Sequence, residues 1–212
     1  ITRHHALQRL TLLSCYDASS KSLTEKILER PRLIERIKKS IPAGNVAHMA
    51  CFNVTKYERT LSVKLDMPIY GCDPELYDQG NKSNSRKIFK QCGLEVPTGF
   101  EDLKNEEEII NALTDLKLNN PSLKKAVVKM NDGFSGEGNA VFSYEGIDNG
   151  SEWKQWISEH FATRLKIVAS DLTYKDFMYK FQSMGGIVEA FVEGAVKTSP
   201  SVQCRINPLG DC

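Results

Sequence analysis

The sequence predicts an α/β unit followed by an α+β unit, with the change of architecture near residue 78. Three observations predict it. In the first third, short apolar runs alternate with stretches of helical periodicity. In the middle, two apolar runs flank a glycine-rich loop, "VVKMNDGFSGEGNAVF" at 127–142. Near the end, the apolar run "GIVEAFVEG" carries a carboxylate, Glu189, in its interior.

Composition sets the frame. With 41% apolar and 26% charged residues, the 212-residue chain has the balance of a globular protein. A net charge of +1 shows no basic excess of the kind that announces a nucleic-acid face, so no nucleic-acid partner is expected. No apolar run reaches the roughly 18 residues that cross a bilayer, so no membrane partner is expected either. The six cysteines show no C-x-x-C spacing and no supporting histidine pair, which favours free thiols in a reducing cytosol over zinc or disulfides. The four histidines are scattered and receive no chemistry.

The opening "ITRHHALQRLTLLSC" is basic and then apolar, but its apolar core is too short for a signal peptide; "LTLLSC" (10–15) reads as a buried strand. Ile rather than Met at position 1 is what a processed product or a fragment would show. "YDASSKS" offers helix caps. "LTEKILERPRLIERIKKSI" places Leu23, Ile27, Leu33, Ile34, Ile37 and Ile41 at helical spacing, and Pro31 should open a second helix. "VAHMACF" (46–52) is the next strand. "TKYERTLSVKLD" is a helix with Tyr57, Leu61 and Leu65 on one face, and "PIYGCDP" a short strand. This alternation predicts a small parallel sheet covered on both faces.

Beyond residue 78, "NKSNSRKIFKQCG" is a helix ending at Gly93, "LEVPTGF" is extended, and "NEEEIINALTDLKLNN" is a helix with acids in its first turn. "KAVVKM" and "GNAVFSY" are strands flanking the loop. Helix "SEWKQWISEHF", strand "RLKIVAS", helix "YKDFMYKFQSM" and strands "GIVEAFV" and "SPSVQCRI" complete the chain.

The loop itself admits two readings. Gly133, Gly136 and Gly138, with Ser135, let main-chain N–H groups approach a phosphate, and Lys129 at the root adds positive charge. A plain hairpin with a permissive turn is the simpler alternative. Neither the P-loop spacing nor the order G-x-G-x-x-G is present, and the loop joins two strands instead of opening a helix. Glu189 needs a partner, either an Arg or Lys or the amino group of a ligand. Lys82 opens a helix, where the dipole disfavours it; a solvated surface lysine is the simpler account.

Together these segments resemble the ATP-grasp superfamily. In more detail they are similar to its peptide ligases, carboxylate–amine ligases that carry a pre-ATP-grasp domain. The quoted pieces are "LTEKILERPRLIERI", "FNVTKYERTLSVKLDMPIYGCDP", "NKSNSRKIF", "VVKMNDGFSGEGNAVF", "GGIVEAFVEGA" and "SPSVQCRINPLG". A related segment occurs in the eukaryotic IQ-motif-containing protein H, a protein of sperm and cilia; the ligases look nearer. The resemblance implies a Rossmann-like pre-ATP-grasp domain at 1–78 and an incomplete α+β ATP-grasp domain after it. The latter has a lid subdomain at 79–188, then a hinge and the start of a truncated C-terminal lobe at 189–212.

It further implies that Lys82 and Lys129 contact ATP phosphates and that Gly133, Ser135, Gly136 and Gly138 close over them. Glu189, with the backbone of Ala190 and Val192, would hold adenine. Arg205 and Asn207 are weaker candidates for phosphate or substrate. ATP and Mg²⁺ are the implied cofactors, with small carboxylate and amine substrates joined through an acyl phosphate. The family's ribose-binding acid is missing from "AVKTSP", and its Mg²⁺ ligands are expected beyond residue 212, so this chain alone is not expected to turn over. The alternative function is a non-catalytic ATP-grasp-like module of a larger assembly, with a protein partner. The implied location is cytoplasmic, with a cilium or axoneme as the alternative. A nicotinamide oxidoreductase fits poorly, because "YDASSKS" lacks the glycines that admit a pyrophosphate.

Overall fold

The computed structural model describes residues 2–133, 136–147, 152–196, 198 and 200–204. The chain divides into two units, one built on residues 1–77 and one spanning Asp78–Pro200.

The first unit has helices α1 (Arg3–Arg9), α2 (Leu23–Leu28), α3 (Pro31–Lys39) and α4 (Lys56–Leu65), with strands β1 (Met49–Ala50) and β2 (Ile69–Tyr70). Pro31 opens α3, where its missing N–H costs nothing. Capping boxes start α2 (Ser22 with Glu25) and α4 (Thr55 with Glu58). Ile34, Leu61 and Leu65 form the core, flanked by half-buried Ile27, Leu28, Ile37, Met49 and Met67. Tyr57, expected on that face, stays at the surface; Glu58 is buried in its place, held by the Thr55 N–H and hydroxyl. β1 and β2 pair in parallel around α4.

The expected strand at 10–15 does not form. Leu10 and Leu12 are exposed, and the run has no ladder partner among the described residues. A short apolar run becomes a strand only when a neighbouring edge takes its N–H and C=O groups. The described pairing in this unit is therefore a two-stranded parallel ribbon, smaller than the covered sheet that the alternation predicts. Residues 200–204, within the last expected strand, take no strand either.

The second unit is a mixed structure of helices on a five-stranded antiparallel sheet in the order β3-β7-β4-β5-β6. Its strands are β3 (Gly99–Leu103), β4 (Lys125–Met130), β5 (Asn139–Ser143), β6 (Leu165–Ile167) and β7 (Gly186–Ala190); its α-helices are α5 (Lys82–Gln91), α6 (Glu106–Asn119), α7 (Trp153–Arg164) and α8 (Tyr174–Met184). Period-two alternation sorts the faces. Ala126, Val128, Met130, Ala140, Phe142 and Val188 point into one core with Ile109, Leu113 and Leu116 of α6, Ile157 and Phe161 of α7, and Phe177 and Phe181 of α8. On the opposite face, Val127 stands opposite Glu189, and Lys129 opposite Asn139 and Ile187. α5 lies against the β3–β7 end of that face, leaving Lys129 partly exposed.

β7 approaches its neighbours too closely for side chains at two points. A Cβ on Gly99 would sit 2.3 Å from the Val188 carbonyl, and one on Gly186 2.3 Å from the Lys129 carbonyl. No helix among the described residues is long and apolar enough to cross a membrane.

Candidate functional site

The site is assembled by α5, the end of β4 and the middle of β7. An amphipathic helix would put apolar residues against the sheet; α5 buries Ser83 and Arg86 instead. Two polar knots explain that inversion.

The first knot is Asn131, just past β4 and buried. Its Oδ1 accepts from the Ser83 N–H at 3.0 Å and the Ser83 hydroxyl at 2.7 Å, its Nδ2 donates to the Met184 carbonyl at 3.1 Å, and its N–H donates to the Gly185 carbonyl at 2.9 Å. Its own carbonyl accepts from the Lys82 N–H at 3.2 Å and from Lys82 Nζ at 3.4 Å. One amide thus satisfies the start of α5 and fixes it to the loop root. A bulge in β3 turns Asp102 to φ +63°, and its N–H donates to Ser83 Oγ at 3.1 Å.

The second knot is Arg86. Its Nη1 donates to Glu189 Oε2 at 2.7 Å, its Nε to Glu101 Oε1 at 2.8 Å and its Nη2 to the Pro97 carbonyl at 2.7 Å. Lys90 adds a second bond to Glu101, and Lys129 Nζ bonds Glu189 Oε1. Side-chain exposures of 6% for Arg86 and 11% for Glu189, against 28% for Lys129, make the arginine the fixed member and the lysine the accessible one.

Burial pushes the Lys82 ammonium below its ordinary value, and the charge of Lys129 lowers it further against the opposing pull of Asp132. Lys82 and Lys129 therefore share one electrostatic neighbourhood at the root of the loop. Burial alone would raise the Glu101 carboxyl; hydrogen bonds from Lys90 and Arg86 outweigh it and hold the group below its usual 4.5. A carboxyl lowered on folding binds fewer protons in the folded state, so its stabilisation is present above the unfolded value and is lost as pH falls through the folded one. Denaturation titrations are therefore expected to show stability falling below pH 4.5, with Glu101→Gln making that acid branch shallower.

The loop spans residues 131–138 between β4 and β5. Gly136 turns at φ +84°, its carbonyl accepting from the Asn139 N–H at 2.9 Å, and the Met130 N–H donates to Gly138 O at 2.8 Å. Cβ atoms on Gly133 and Gly138 would meet each other's backbone or Met130 at 3.1–3.2 Å, so these glycines are also needed for closing the hairpin. Asn139 Oδ1, next to Lys129 in the ladder, is buried without a hydrogen-bond partner among the described residues. A cavity of about 320 Å³ lies beside the hairpin, lined by Met130, Asp132, Gly133, Gly138, Leu172 and Met184 among others.

Of the residues expected from sequence, Lys129 bonds Glu189 and Lys82 lies within its electrostatic reach at the root of the loop, while Gly133 and Gly138 line the cavity beside the hairpin. The Ala190 N–H is committed to the Thr98 carbonyl at 2.8 Å, so only its carbonyl can serve a ligand. Val192 is exposed, just past the end of β7. Ser135, Arg205 and Asn207 lie outside the described residues. Arg86, Glu101, Ser83 and Asn131 were not anticipated; the polar stripe Ser83–Arg86–Lys90 on α5 was the available signal for three members of the two knots.

The residues present can be tested against the groups an ATP-type site requires. Two ammonium groups and an orphaned acceptor suit an anionic ligand that also carries donors. For Mg²⁺ the described residues do not fit: no three His, Cys, Asp or Glu side chains gather into a metal site among them.

Residues 75–164 match a family model described as IQCH-like, ATP-grasp. That span contains Lys82, Arg86, Lys129 and the loop and ends before Glu189. The chain is 24% identical to IQ motif-containing protein H of Danio rerio over 99% of its length, covering 23% of that protein. It is 27% identical to L-propargylglycine--L-glutamate ligase of Streptantibioticus cattleyicolor over 58% of its length, covering 26% of that protein. The chain thus spans about a quarter of the length of these curated relatives. The match is to the IQCH-like description, whereas the quoted sequence segments look nearer to the peptide ligases.

Proposed function

Because the chain carries an ATP-grasp-like segment related to IQ motif-containing protein H, we propose that it is the nucleotide-binding part of an ATP-grasp site. Lys82 and Lys129 hold phosphate oxygens, and the loop with Gly133, Ser135, Gly136 and Gly138 covers them. Glu189, the Ala190 carbonyl and the Val192 backbone hold the adenine. The observation that carries this reading is the convergence of Lys82, Lys129 and Glu189 at the loop root, on the sheet face opposite the α6–α8 core. Bound ATP would supply an activated phosphoryl group for a carboxylate, in a carboxylate–amine ligase acting through an acyl phosphate. The chain's own groups neutralise phosphate charge, exclude water and orient the base. Residues 1–78 act as the pre-ATP-grasp domain and residues 79–188 as the lid subdomain, with the hinge starting at Glu189. The substrates, the Mg²⁺ ligands and a cytoplasmic location belong to the same proposal for the longer protein.

Lys129→Met is expected to weaken ATP binding about 10- to 100-fold, the loss of one charge-assisted phosphate contact. Calorimetric titration of both proteins checks it, and equal affinities would remove Lys129 from the site.

A second reading is a non-catalytic ATP-grasp-like module in a larger, ciliary assembly with a protein partner. The observation favouring it is that Lys129, Glu189, Arg86 and Glu101 are bonded to one another in a closed polar network. The discriminating assay is ATP turnover by the full-length protein over panels of carboxylates and amines: product formation excludes the module reading, and tight ATP binding without turnover favours it.

A further inference from the structure

The two partners of Glu189 are unlike each other. Arg86 is buried and tied at three points, to Glu189, Glu101 and the Pro97 carbonyl, so its guanidinium cannot leave without giving up all three bonds at once. Lys129 has one side-chain acceptor among the described residues, Glu189 Oε1, and its flexible four-carbon side chain is partly exposed. Anything that competes for this carboxylate displaces the lysine and not the arginine.

The nucleotide reading gives Lys129 and Glu189 separate ligand partners, yet here they bond each other. The ion pair and the filled site are then alternative states of the same two groups. From this we infer that Glu189 hands its Oε1 oxygen from Lys129 to the exocyclic amino group of adenine when a polyphosphate draws Lys129 away, and that Arg86 is the positioning residue that keeps the carboxylate in place. The inference rests on the nucleotide reading and adds to it a coupling between base and phosphate recognition. An adenine without phosphates must compete with an internal ammonium, and a polyphosphate without a base must break the pair with nothing to replace it. ATP satisfies both vacated groups at once. By linkage each half of the ligand raises the affinity for the other equally. The same device selects adenine: a guanine presents a carbonyl oxygen where adenine presents its amino group, and a fixed carboxylate repels it.

Titrations of ATP, GTP, adenosine and tripolyphosphate into the wild-type chain and into Lys129→Met and Arg86→Lys variants test this, with melting temperatures recorded in parallel. Lys129→Met should weaken ATP and tripolyphosphate at least tenfold while strengthening adenosine several-fold, because the internal competitor is gone. Arg86→Lys keeps the charge but cannot span three acceptors; it should shrink the ATP-over-GTP preference at least fivefold and leave tripolyphosphate affinity within twofold. Adenosine affinity that is unchanged or weaker in Lys129→Met overturns the hand-over while leaving the nucleotide site standing. A lower melting temperature for Arg86→Lys with an unchanged ATP-to-GTP ratio makes Arg86 purely structural and overturns its positioning role. If the wild-type chain binds none of the nucleotides, the site reading and the hand-over both fall.

Discussion

Replacing Arg86 with leucine is expected to destabilise the second unit by about 3–5 kcal/mol, the range seen when one partner of a buried ion pair is removed. The substitution leaves Glu189 and Glu101, both largely buried, facing an apolar side chain, and it strands the Pro97 carbonyl. Lys129 and Lys90 remain as partial compensation at the two carboxylates, which keeps the loss from being larger. At this size the change should lower the melting temperature by at least about 10 °C. Adding Glu101→Gln to the leucine variant removes one of the stranded charges and should recover part of the loss. Thermal melts of the single and double variants check both steps; additive losses would mean that Arg86 and Glu101 are not energetically coupled.

Asn131→Leu is expected to cost about 2–4 kcal/mol, because an apolar side chain of similar size leaves several buried polar groups unmatched. The Ser83 N–H, the Ser83 hydroxyl and the Met184 carbonyl all lose their Asn131 partner. Ser83→Ala removes only the hydroxyl, with its bonds to Asn131 Oδ1 and from the Asp102 N–H, and should cost about 1 kcal/mol. Chemical denaturation should therefore rank the variants in that order. The asparagine change should also loosen the root of the loop, seen as faster amide exchange at Lys82 and Ser83 than at the β4–β5 ladder.

How far the sequence revealed this molecule depends on what each residue answers to. Local chemistry was legible: Pro31 opening α3, Gly93 following α5, and the two strands flanking the glycine loop all follow from their own side chains. What local pattern could not reveal was pairing. "LTLLSC" has a strand's composition, but a strand is made by its neighbour's edge, and none of the described residues provides one. The sequence singled out Lys129 and Glu189 as separate anomalies, a lysine at a strand end and a carboxylate in an apolar run. Their contact, between positions 60 apart in the sequence, exists only because β4 and β7 are adjacent in the sheet. Arg86 was hidden for the same reason: in isolation it is one more charge on a basic helix, and its meaning comes from the two carboxylates that the sheet brings to it.

Lys82, Lys129, the loop and Glu189 are proposed to form one nucleotide site. Titrating ATP into isotopically labelled protein and following backbone amide and lysine side-chain resonances tests it most directly. The account predicts saturable shifts confined to Lys82, Lys129, Gly133–Gly138 and Glu189–Val192, with the Lys129 ammonium signal moving as its bond to Glu189 is replaced. Shifts that do not saturate at millimolar ATP, or that cluster on the α6–α8 side of the sheet and leave Lys129 and Glu189 unmoved, would contradict it.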